Sequence, residues 1–261
     1  MKQQIFSLTI LVIFLNIFCW EVSAQKIMKL DDSLKANNDP LSVKIRGGSI
    51  LKYDFGIYKT LSSKAGMVRT KSSSKLFSSM EKSESKQKAS IVVGNNVADT
   101  ATISISVNAT SEEVRENVIA ISKGRVALER EDDPSRFKMA SNLVAIITTS
   151  GDTATWNFAY VTLENTENSK ENRSGGMISD GEKKIEIKNI TVWDNGKAPT
   201  FYYVVGYEFY VDGVAVAAMQ HPMDTFQKKL VWMKNGLDEK LKLIIAAAMN
   251  VLFAFTNQPP T

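Results

Sequence analysis

Residues 243–255 read Leu-Ile-Ile-Ala-Ala-Ala-Met-Asn-Val-Leu-Phe-Ala-Phe, an apolar run broken by Asn250 alone. The pattern predicts a helix over 237–255, with Asp238 and Glu239 in the first turn, where acids suit the positive end of the helix dipole. Its apolar residues cover every face. A surface helix keeps a polar stripe. A membrane span takes about 20 apolar residues, and this run is 13 residues long with Asn250 included. The helix is therefore expected to be buried on all sides, as a rod of about 27 Å. Whatever the rest of the chain forms must surround it.

The rest reads as strands. Ala101, Ile103, Ile105 and Val107 alternate with Thr102, Ser104 and Ser106, the period of two of a half-buried strand. Residues 143–149 and 153–163 flank Ser150-Gly151-Asp152, and Trp156, Phe158 and Tyr160 share a face. Gly47-Gly48 and Asp212-Gly213 read as hairpin turns. Glu131-Asp132-Asp133-Pro134 reads as a charged turn, and 111–122 fits helix or strand. Phe201, Tyr203, Val205, Tyr207, Phe209 and Val211 are expected on one face of a long strand. About eleven strands are expected in all.

The order near the end is Gly206-Tyr207-Glu208-Phe209-Tyr210-Val211, then Asp212-Gly213, then Val214-Ala215-Val216-Ala217, a short strand and the apolar helix. Over about 185–255 this resembles the end of tubby-like and phospholipid-scramblase-like domains. The resemblance implies a closed β-barrel enclosing a C-terminal helix. Known tubby-like domains can bind phosphoinositides through basic residues, but no matching motif occurs here and that property is not carried over. The fold expected is mainly β: a closed or nearly closed antiparallel barrel around the buried helix, or else a β-sandwich with one packed helix.

At the other end, Met1-Lys2, the apolar stretch 5–18 and Val22-Ser23-Ala24 have the layout of a secretory signal peptide over 1–24, with Gln25 as the new N-terminus. The protein is then exported: periplasmic, outer-membrane-associated or secreted. Removal of 24 from 261 residues leaves a chain able to bury about 70–75% of its unfolded surface. The single cysteine, Cys19, leaves with the signal peptide, so the mature chain is no disulfide scaffold. That fits a bacterial envelope protein, and no transmembrane segment is expected in the mature chain. Residues 25–40 read as a flexible lead-in, although Ile27, Met28, Leu30 and Leu34 could dock as a short helix. A single mainly-β domain is expected over 41–261.

Within it, 59–88 is a Ser/Lys-rich insertion with eight basic residues against Glu81 and Glu84. Lys64, Arg69, Lys71, Lys75 and Lys82 are the candidate contacts for an anionic ligand, either lipid headgroups or polysaccharide. The plainer use of such a stretch is a solvated loop or long hairpin. Nucleic acid is not expected for an exported protein with few aromatics there.

Catalytic signals are sparse. The one histidine, His221, has Asp224 nearby as a conceivable orienter but no Gly-x-Ser-x-Gly elbow or thiol beside it, and reads better as a turn residue before Pro222. One histidine and no mature cysteine give no zinc set. Glu129, Glu131, Asp132 and Asp133 lack calcium-loop spacing. No cofactor and no catalytic residue is expected. The leading expectation is a non-enzymatic protein that binds or scaffolds at the envelope. The alternatives are a sugar or lipid hydrolase using spatially paired carboxylates, and a carrier of lipid or another apolar ligand, which a helix-filled barrel would disfavour.

Overall fold

A computed structural model describes residues 26–36, 39–48, 50–74, 80–122, 125–165, 173–199, 204–222 and 227–256. Thirteen strands follow in order: β1 (Leu41–Arg46), β2 (Lys52–Phe55), β3 (Lys59–Ala65), β4 (Arg69–Ser74), β5 (Met80–Gly94), β6 (Thr100–Ser122), β7 (Arg125–Thr149), β8 (Thr155–Asn165), β9 (Arg173–Ser179), β10 (Lys184–Ile190), β11 (Gly206–Val211), β12 (Val214–Gln220) and β13 (Leu230–Met233). A short helix α1 (Asp32–Lys35) precedes them and a long one, α2 (Glu239–Phe255), follows. Twelve strands form a nearly closed antiparallel barrel in the order β2-β1-β13-β12-β11-β10-β9-β8-β7-β6-β5-β3, and β4 continues along the edge of β5. The barrel is the expected architecture, and the sandwich is not what forms.

The barrel closes because α2 fills it. Residues 243–254 of α2 are all buried. Ala246, Ala247 and Ala248 are small enough to let the surrounding strands approach, while Ile244, Ile245, Leu252 and Phe253 point to different sides of one continuous core. That core takes the inward residues of the strands: Ile103 and Ile105, Leu143 and Ile147, Trp156 and Phe158, Ile185 and Ile187, Tyr207 and Phe209. Phe253 stacks on Tyr53 at 5.0 Å between ring centroids. Asn250, the one polar residue of the apolar run, is paired. Its Oδ1 accepts from the Thr60 hydroxyl at 2.8 Å and its Nδ2 donates to the Ala246 carbonyl at 3.1 Å. A buried amide costs little once its groups are satisfied, and it fixes the depth of the helix in the barrel. Asp238 caps α2 by accepting from the Leu241 N–H at 3.0 Å.

The two ends of the strand path are β2 and β3. The Phe55 and Tyr58 backbones exchange two hydrogen bonds, of 3.0 and 2.9 Å, at the turn between them. Beyond that turn side chains bridge the strands. Asp54 accepts from the Thr60 N–H at 2.9 Å, and the Arg46 guanidinium reaches both Asp54, at 2.6 Å, and the Thr60 carbonyl, at 2.7 Å.

Three sequence expectations change. Residues 111–122, open between helix and strand, are strand, and the β6–β7 hairpin does not end at the expected charged turn: Asp132 pairs with Arg115 and Glu131 with Glu116, and the register shifts beside them, between Glu113 and Arg115. The strand expected from Phe201 begins at Gly206. Val205, just before it, packs outside the barrel, while 201–203 lie outside the described residues.

The third change concerns the lead-in. Residues 26–36 dock on the outside of β11–β13. Met28, Leu30 and Leu34 form a second core there with Ile190, Trp193, Ala215, Ala218, Leu230 and Trp232. The segment is polar enough to read as loose, but its three anchors meet matched partners. The Met28 N–H donates to Gln220 Oε1 at 2.8 Å, and the Asp31 N–H to Glu208 Oε1 at 2.6 Å. Gly206 lies directly under Met28, where a Cβ would collide with the thioether and with the Met219 carbonyl.

Candidate functional site

Ile91 and Val93 of β5 point into the core, so Lys82, Glu84, Lys86, Lys88, Ser90 and Val92 lie on its outer face. Antiparallel partners share a face. Lys64 opposes Ser90, Arg69 opposes Lys86, Lys71 opposes Glu84 and Ser73 opposes Lys82. The ladders thus bring six cations onto one exposed surface: Lys64, Arg69, Lys71, Lys82, Lys86 and Lys88. Four of the five expected contacts, Lys64, Arg69, Lys71 and Lys82, are among them, and Lys75 lies outside the described residues. Lys86 and Lys88 are the additions. Their signal was the spacing by two of Lys82, Glu84, Lys86 and Lys88, which is strand spacing. Glu84 is the one acid among these outer positions. The Lys86 ammonium, 2.7 Å away, holds its carboxyl below the usual range, and Lys71 adds to the effect.

β3 and β4 are collinear parts of one edge strand along β5. Ala65 opposes Ala89 and Arg69 opposes Lys86, so three residues, 66–68, face two, 87 and 88. That is a β-bulge. Its base is pinned: the Gly66 N–H donates to the Lys88 carbonyl at 2.7 Å, and Gln87 Nε2 donates to the Gly66 carbonyl at 3.2 Å. A Cβ on residue 66 would sit 2.9 Å from the Lys88 oxygen, which is why glycine stands there. Met67 and Val68 form the tip and face solvent.

Further round the barrel the outer face loses its charge. β6 presents Thr102, Ser104 and Ser106, opposite Val92, Ser90 and Lys88. β7–β9 then present Val144, Ile146, Val161, Leu163 and Met177, each roughly half exposed. Two strand spacings, about 10 Å, separate the cationic strand β5 from this apolar strip.

His221 is buried against Phe253, 4.9 Å between ring centroids. Burial first, and the Lys229 charge second, push its pKa down to about 3. It is a core residue, neutral at ordinary pH, and Asp224 lies outside the described residues. Glu208 is buried and committed to the lead-in, accepting also from the Tyr210 hydroxyl at 2.7 Å. The side chains of Glu129, Glu131, Asp132 and Asp133 lie outside the described ones. Among the described residues no group of three metal-ligating side chains comes together. An open cavity of about 440 Å³ beside the start of α2 is lined by Asp39, Tyr58, Lys234, Glu239 and Lys242, and Lys242 is already paired with Glu239 at 2.8 Å. No helix among the described residues is long and apolar enough to cross a membrane.

No family model, curated protein or solved structure matches this chain.

Proposed function

We propose that the protein is an exported, non-enzymatic binding protein that holds a negatively charged surface of the bacterial envelope with the outer face of β3, β4 and β5. The observation that carries this reading is the six exposed cations of β3–β5, with one acid, Glu84, among the outer positions of those strands and already paired with Lys86. A ladder from the edge strand through β5 to β6 holds them in fixed register, so the array is preformed. Each basic residue near an anionic surface contributes about 1 kcal/mol, so several acting together give useful affinity at moderate salt. The signal-peptide layout of 1–24 supports the location. The filled interior supports action from the outside of the barrel over carriage of an apolar ligand within it. The commitment of buried Glu208 to structural partners weighs against the carboxylate hydrolase. A barrel wrapped around a C-terminal helix also supports reading the chain as tubby-like in fold.

The test is co-sedimentation with anionic vesicles and, separately, retention on an anionic polysaccharide. Binding is expected at low salt and should be lost by about 0.5 M salt. Reversing Arg69, Lys71 and Lys82 to Glu should weaken it by about tenfold or more. No binding to either material at low salt would retire the proposal.

A further inference from the structure

Resting on that reading, we infer that the charged surface is a lipid bilayer, and that Met67 and Val68 at the bulge of the edge strand enter its interface. Bulges on edge strands commonly serve to discourage pairing with other chains, and charged or polar residues do that well. Here the tip is apolar. Met67 is 82% exposed, the highest value for a large apolar side chain among the described residues. The second bulge of the same edge, between Thr60 and Ser62, also presents an apolar chain, Leu61 at 55% exposure. Neither position gains anything from water.

The surroundings of the tip supply the charge. Lys64 precedes it, Arg69 and Lys71 follow it, and Lys86 and Lys88 lie on the adjacent strand. A soluble polyanion would engage the cations but would leave Met67 and Val68 in water. A bilayer engages both. Its headgroup phosphates meet the cations, and its interfacial zone, about 5–10 Å deep, accepts a two-residue apolar tip. Lys and Arg stems can lie along that zone with their heads in the headgroup layer. The Gly66–Lys88 and Gln87–Gly66 hydrogen bonds hold the tip ready, so little ordering is needed on contact.

The test uses the mature full chain with vesicles of phosphatidylglycerol and phosphatidylcholine, and with dextran sulfate as the soluble polyanion. Met67→Trp is the reporter. Its emission should shift to the blue on adding anionic vesicles and be quenched by brominated acyl chains, with neither change on adding dextran sulfate. The double change Met67→Ser, Val68→Ser, which leaves the charge unaltered, should lower vesicle affinity about tenfold or more and leave dextran sulfate binding within about twofold. Both positions face solvent, so the variants should melt like the parent. Binding to dextran sulfate without binding to vesicles overturns the inference and leaves the anionic-surface reading standing. Vesicle binding with an unshifted tryptophan and an unaffected double variant does the same. Binding to neither material removes both.

Discussion

The outer faces of β11–β13 and of β7–β9 began from the same sequence pattern and ended differently. Residues 214–219 are Val-Ala-Val-Ala-Ala-Met and residues 143–147 are Leu-Val-Ala-Ile-Ile, both apolar without alternation. Such runs ordinarily mean burial on both faces. That holds for β12, where Ala215 and Ala218 are covered by the docked lead-in and Val216, Ala217 and Met219 face the core. It fails for β7, where Val144 and Ile146 remain about half exposed. The two strands differ in what a distant part of the chain does. Residues 26–36 cross almost 200 positions of sequence to reach Gln220, and no corresponding described segment covers β7. A strand's own residues set its β preference, while coverage of its second face is a tertiary event.

The strongest way to break this comparison is to remove the cover. A chain beginning at residue 37 loses the buried Met28, Leu30 and Leu34 side chains, each contributing about 1.5–3 kcal/mol, and exposes Trp193 and Trp232. We expect a loss of about 5 kcal/mol or more, seen as a melting temperature lowered by ten degrees or more and new binding of a hydrophobic dye. A truncated chain that melts like the parent would mean that the cover is ornamental and the two faces are equivalent.

Acid should act next, from the end of β12. His221 lies directly after Gln220, the residue that holds Met28, and its pKa falls from 6.5 to about 3 on burial. A depressed folded value means that the unfolded chain takes up the proton first. The contribution of the neutral imidazole is therefore fully present above about pH 6.5 and is lost progressively as pH falls toward 3, amounting to on the order of 4 kcal/mol. Melting temperatures measured from pH 7 to pH 3.5 should fall steeply in the parent and less steeply in His221→Phe. Parallel curves would show that His221 is not the source.

The open face should give the smallest effect. Ile146→Thr and Val161→Thr keep the β-branched shape and place a hydroxyl in water, so each should change stability by no more than about 0.5 kcal/mol in urea titration. A loss above about 2 kcal/mol at either site would show that the strip is covered in solution, by a second copy or another partner.

The sequence was a good guide where one local rule decided the outcome. The wholly apolar run 243–255 has no packing solution except enclosure, and the period of two at 101–107 places Ile103 and Ile105 inside the barrel. It was a poor guide where partners were remote. Met28, Leu30 and Leu34 are three apolar residues in a polar segment, and nothing local tells that Trp193 and Trp232 await them. The acidic stretch 131–133 has turn composition, yet Glu131 and Asp132 pair within the β6–β7 ladder, beside a register shift. The candidate site lay between these cases. Its charge was visible from composition, and its single face became clear once β4 and β5 were paired. The bulge at 66–68 was hidden, because one extra residue in an edge strand has no composition of its own.

The helix α2 is the last element of the described chain. The centre of the molecule is made after all thirteen described strands. During synthesis, strands that emerge early have nothing to wrap around, and their inward side chains wait for residues 243–254. The contacts that complete the barrel join β5, β6 and β7 to α2 across more than 90 positions of sequence, so closure is a late and collective step. A chain that still lacks its last helix is therefore an open sheet. Arrival of the final helix turns that sheet into a nearly closed barrel.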